Sequence, residues 1–126
     1  MILTGYALAG LLAAGILFIG SRFLWAPVVA ARDFGIADPP PPSTGFVAWL
    51  GVKGVRDMVS GLAVILLMAN GAPRLLGEFL LIASLTACGD TLSVLRSGGS
   101  RAVAFGVHGA TAVVIVVAGL LLVLGR

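Results

Sequence analysis

In the stretch GVKGVRDMVSG, residues 51–61, three ionisable side chains interrupt an otherwise apolar run: Lys53, Arg56 and Asp57. Two more stand inside later apolar runs, Asp90 in CGDTL and His108 in FGVHG. These are the residue types of acid–base chemistry. Two carboxylates serve as acid and base when burial and neighbouring charge separate their proton affinities, so Asp57 and Asp90 are the candidate catalytic pair. His108 is the candidate proton relay. Arg56 offers a planar fork for a carboxylate, a phosphate or a developing oxyanion. Lys53 offers an ammonium that orients a substrate or pairs with a carboxylate. Trp49, Ser60, Thr86 and Thr111 complete the candidate binding set. Two pairings remain open at this level: Asp57 with Lys53 on its own helix, or Arg56 with Asp90 across a bundle.

The same charges have a purely structural reading as ion pairs that hold helices together, since breaking a buried pair costs roughly 3–5 kcal/mol. Against it, ionisable residues inside a membrane are expensive, on the order of 3 kcal/mol each at a helix centre, and mark functional sites by default.

That the site lies in a membrane follows from composition. The chain of 126 residues is 60% hydrophobic and 10% charged, with a mean hydropathy of +1.15. A soluble domain carries about 25% charged residues. The net charge of +3 comes from scattered basic residues with no basic patch, which argues against nucleic-acid binding. One cysteine, Cys88, excludes an internal disulfide and reads as a packed core thiol. There is no glycine-rich phosphate loop. A single histidine without carboxylate–histidine spacing argues against catalytic zinc or haem, so the chemistry reads as free of cofactor and metal.

Four apolar segments must position these residues: about 2–24, 44–69, 74–96 and 101–124. Each is long enough for a helix to cross ~30 Å of hydrocarbon. Backbone groups in lipid must be satisfied internally, so helices are expected, and no alternating barrel pattern is present. The first segment lacks a basic residue before its apolar core, so it reads as a span rather than a signal peptide. NGAPR and RSGGSR are short turns, which predict antiparallel neighbours. The one long connection runs from Trp25 to Ser43 and holds Pro39 to Pro42, a stiff polyproline spacer of ~12 Å. The expected fold class is all-α: an integral-membrane antiparallel four-helix bundle, one domain over residues 1–126, with one long proline-rich loop between the first two helices.

Antiparallel hairpins set the depths. A turn near residue 71 or 72 places Asp90 level with Lys53 and Thr86 level with Asp57. A turn near residue 98 or 99 places His108 one residue from the level of Asp90. At 100° per residue, Trp49, Lys53, Arg56, Asp57 and Ser60 share about a 100° arc, while Thr86 with Asp90 and His108 with Thr111 mark stripes on the next two helices. These stripes are expected to face one another. Gly51, Gly54, Gly61, Gly106 and Gly109 are expected to permit close helix approach. Arg22, Arg32, Arg96 and Arg101 lie on the long-loop side, against Arg74 and Arg126 on the other, which favours the long loop in the cytoplasm of a cell (inner) membrane and both termini outside.

ARDFG in the long connection, GVRDMVSGL in the second segment and CGDTL in the third resemble a family of small four-helix bacterial and fungal membrane proteins known as domain of unknown function 4267. The resemblance covers nearly the whole chain. It implies the architecture and assigns no activity. The leading expectation is a protein that binds a lipophilic small molecule among membrane lipids and acts on it by cofactor-free acid–base chemistry of the isomerase, cyclase or epoxide-opening kind. The alternatives are a small transporter or proton-coupled carrier working as a homodimer and a non-catalytic accessory membrane subunit.

Overall fold

The computed structural model describes residues 1–125. Five helices follow one another: α1 (Ile2–Trp25), α2 (Pro27–Phe34), α3 (Thr44–Ala69), α4 (Pro73–Arg96) and α5 (Arg101–Leu124). No strand occurs among the described residues. The all-helical class is as expected, but the connection between the first two long helices is not plain loop, because α2 occupies much of it.

The breaks have local causes. Pro27 cannot continue α1, because it lacks an N–H and restricts the residue before it, yet it suits the first turn of α2. Gly35 ends α2 at φ 95°, a left-handed conformation that a Cβ disfavours. Ser43 caps α3, its hydroxyl accepting from the Phe46 N–H at 3.1 Å. The α4–α5 turn closes α4 with paired bonds, Gly99 N–H to Val94 O at 2.9 Å and Gly98 N–H to Leu95 O at 3.1 Å.

α1, α4 and α5 are each long and apolar enough, by length and composition, to cross a bilayer. α3 has the length, but Lys53, Arg56 and Asp57 keep it outside that set. α3 packs mainly on α1, α4 mainly on α5, and α1 joins the two pairs through α5; α3 and α4 touch only lightly. Glycines set both close pairs. A Cβ on Gly54 would lie 2.6 Å from the Gly20 carbonyl oxygen, and one on Gly77 would lie 2.7 Å from that of Gly119. Lipid is as apolar as leucine, so such backbone proximity, rather than a hydrophobic drive, holds membrane helices together. Gly61 also meets α1, and a Cβ on Gly109 would lie 3.9 Å from Thr91 Oγ1 of α4, whereas Gly51 and Gly106 have nothing within 4 Å. Gly51 and Gly106 do not mediate helix contact.

The apolar core of Ala9, Ala13, Val64, Leu76, Leu80, Ala118 and Leu122 fills the end of the molecule near the Asn70–Gly71 turn. The other end, beneath α2 and the proline run, holds Lys53, Asp57, Asp90 and His108, while the exposed Arg74–Glu78 pair lies by the Asn70–Gly71 turn. Cys88 is exposed and lies outside this core, contrary to expectation. α4 turns its buried side, Gly77, Leu80, Ser84 and Ala87, inward, and Cys88 follows by about 100°.

Candidate functional site

The site begins with Asp57. On α3, Gly54, Asp57, Gly61 and Val64 form the buried edge against α1. Gly20 leaves the room: a Cβ there would lie 3.0 Å from Asp57 Cβ. Asp57 is 8% exposed, so its charge needs a partner. Lys53, one turn earlier, donates to Asp57 Oδ2 at 2.6 Å. The pairing is therefore the one within α3.

Lys53 also lies over two aromatic faces, Phe23 of α1 at 4.9 Å and Phe34 of α2 at 5.1 Å from the ring centroids. The ring quadrupole attracts the ammonium and partly replaces its water. Phe34 in turn stacks at a tilt on His108, with centroids 4.5 Å apart.

His108 sits in a π-helical stretch, Ala104–Gly109, inside α5. Such stretches insert about one residue into the helical register and occur often at functional sites. Here the shift brings His108 Nε2 within 2.8 Å of the Phe34 carbonyl oxygen. A carbonyl only accepts, so Nε2 carries the hydrogen of this bond. Phe34 is the last residue of α2, where carbonyls lack helical partners, so His108 satisfies one of them. The other nitrogen, Nδ1, faces Asp90 Oδ2 at 4.0 Å. That is too long for a direct bond and near enough for one water between them. Asp90 and His108 are thus close enough to exchange a proton through one water.

A cleft of about 340 Å³ opens beside these groups. Phe23, Phe34, Ile36, Pro39, Phe46 and Leu50 form most of its apolar wall, and Lys53, Asp90 and Ser93 its polar one. Its roof is tied down at three points. Arg22 pairs with Asp33 of α2, the Ala37 N–H donates to Ser97 Oγ at 3.0 Å, and Gly99 lies so close to the Gly35 carbonyl that only glycine fits. Pro39 and Pro40 line the cleft, and the proline run borders a second hollow with Val28, Arg32 and Phe46.

Of the residues singled out in the sequence, Lys53, Asp57, Asp90 and His108 come together. Asp57 does not line the cleft; it anchors Lys53. Arg56, Trp49, Ser60, Thr86 and Thr111 are exposed on the outside, with Trp49 74% exposed. Ser60 and Thr111 donate to carbonyls of their own helices, Arg56 O and Val107 O. The extra π residue explains Thr111, since a projection at 100° per residue fails across it. The aromatic walls Phe23, Phe34 and Phe46 were missed. Their only signal was recurrence of phenylalanine near one end of the first three helices. Among the described residues, no three His, Cys, Asp or Glu side chains gather where a metal could bind.

No curated protein and no solved structure matches the chain. A family model, described as Domain of unknown function (DUF4267), matches residues 13–122, a span that contains every residue of the site. The chain belongs to the DUF4267 family.

Proposed function

We propose that this is a four-span membrane protein that binds an uncharged lipophilic molecule in the cleft and moves a proton on it without a cofactor. One observation supports the reading above others: an apolar cleft of about 340 Å³ whose polar wall is an ammonium and a carboxyl backed by a histidine. Ligand pockets are commonly of this kind, mostly apolar with a few convergent polar groups, and begin at about 300 Å³. The Lys53–Asp57 pair is formally neutral and most of the cleft wall is apolar, so an uncharged ligand fits it best. Lys53 retains N–H groups beyond the one given to Asp57 and would hold a ligand oxygen. Asp90 would take a proton from the ligand or give one, and His108 Nδ1 would exchange it. Proton-shift isomerisation, cyclisation and epoxide opening all fit this pairing of donor and base.

α3 is proposed to cross the bilayer beside its neighbours, because its glycine edge packs along α1, itself apolar enough to span. The arginines near the roof, Arg22, Arg32, Arg96 and Arg101, favour that end in the cytoplasm. Arg126 lies outside the described residues.

The test is mass spectrometry of small molecules extracted from purified wild-type protein, Asp90→Asn and Leu50→Trp. A defined lipophile retained by wild type, excluded by Leu50→Trp and retained unaltered by Asp90→Asn is the expected result. The same bulk lipid in all three, from proteins that remain folded, defeats the proposal.

A further inference from the structure

α3 has two edges of heptad spacing. One, with Gly54, Asp57, Gly61 and Val64, is buried against α1. On the opposite side Trp49, Val52, Arg56, Val59 and Leu66 repeat at alternating intervals of three and four, with Ala63 filling the series. This second edge is open: Val52 is 42% exposed, Val59 58% and Leu66 63%. Apolar a and d positions at this spacing are the seam of a helix–helix contact. Its central position holds a cation. Arg56 lies about 18 Å from Thr44 and about 20 Å from Ala69 along the helix at 1.5 Å per residue, so it is near mid-depth of a spanning α3. Among the described residues no carboxylate pairs with its guanidinium.

From this we infer that the Trp49–Leu66 edge of α3 docks a transmembrane helix of another protein that carries an aspartate or glutamate at mid-depth, paired with Arg56. The inference rests on α3 crossing the bilayer. A guanidinium facing lipid is costly, and intramembrane charges pair with one another. The countercharge is not available from a second copy. A two-fold axis along the membrane normal brings Arg56 against Arg56, since such an interface uses the same patch twice. The other carboxylates near this depth face inward, Asp57 to Lys53 and Asp90 to the cleft. Lipid phosphates lie about 15 Å from mid-bilayer, half the thickness of the hydrocarbon core. An arginine at an interfacial a position also dictates register and partner, as single polar residues do there.

The experiment uses full-length protein in phosphatidylcholine vesicles with synthetic leucine–alanine helices that carry a single central Asp, Asn or Leu. Association is read by energy transfer from a dye at the protein's amino terminus. The Asp helix is expected to bind wild type about tenfold more tightly than the Leu helix, the order of effect of one interhelical polar contact in lipid. Arg56→Met should erase that preference, and Arg74→Met, at the opposite end, should keep it. Equal binding of the Asp helix to wild type and Arg56→Met overturns the proposal. So does disulfide cross-linking between copies of Val59→Cys in a Cys88→Ala background, which would show the edge occupied by the chain itself. The same cysteine variant checks the premise separately: it should resist a membrane-impermeant maleimide, and ready labelling removes α3 from the bilayer and the proposal with it.

Discussion

Removing the Lys53 ammonium tests how the site is held. Lys53→Met keeps the length of the side chain and most of its contact with Phe23 and Phe34, but leaves the Asp57 carboxylate buried without its partner at 2.6 Å. At an effective dielectric of about 20, two unit charges at this distance attract by roughly 6 kcal/mol, most of which repays desolvation. Truncating one member of a buried pair costs about 3–5 kcal/mol. The Lys53 side chain is 31% exposed and that of Asp57 11%, so the pair is not fully dry and about 3 kcal/mol is the expected loss. Asp57→Leu alone should cost a similar amount by stranding the cation. The double variant Lys53→Met/Asp57→Leu should lie within about 1 kcal/mol of wild type, because an apolar replacement for both partners strands nothing. The assay is reversible unfolding in mixed micelles of rising sodium dodecyl sulfate, read by circular dichroism, with the four proteins forming a double-mutant cycle. A coupling near zero, or a double variant as unstable as the sum of the singles, would refute the view that Asp57 is chiefly the anchor of Lys53.

Other perturbations separate the remaining parts. Gly54→Val should push α1 from α3 by about 0.8 Å, the gap between 2.6 Å and ordinary contact at 3.4 Å, and lower stability by about 1–3 kcal/mol in the same unfolding assay. Gly51→Val, which meets nothing within 4 Å, should leave stability unchanged. His108→Leu should release α2, raising the maleimide labelling rate of Ala31→Cys in a Cys88→Ala background; His108→Gln, whose amide can donate to the Phe34 carbonyl, should restore slow labelling. Gly35→Ala sets a Cβ at φ 95° and 2.7 Å from Val103 Cγ1, so proteolysis between α2 and α3 should accelerate.

Much of the fold was written in hydropathy, because a span in lipid has to be a long apolar helix. The depth of the site was legible too: hairpin turns of a few residues fix which positions stand level, and Lys53, Asp57, Asp90 and His108 do converge. Rotation was not legible. A stripe on a helix says which residues share a face, but the neighbour it meets depends on where backbones can approach, and Gly20 with Gly54 directed Asp57 toward α1. Arg56, about 100° further back, was thereby turned outward. α2 was overlooked because eight residues give too short a period to detect, although Pro27 and Gly35 bracket them as a helix start and stop. Phe23 and Phe34 looked like ordinary membrane phenylalanines, and only the Lys53 ammonium above them makes them part of the site. The π-helical stretch around His108 has no signature in composition.

The separation of the apolar core from the cleft has a further consequence for sequence drift. Ala9, Leu76, Leu80 and Leu122, which hold the helices together, share no atoms with the cleft wall. Residues such as Ile36, Pro39, Phe46 and Leu50 can therefore change in size and shape without loosening that core, because substitutions at separated sites add nearly independently. A lineage could retune what the cleft admits one residue at a time and remain folded at every step, while Lys53, Asp57, Asp90 and His108 keep their places.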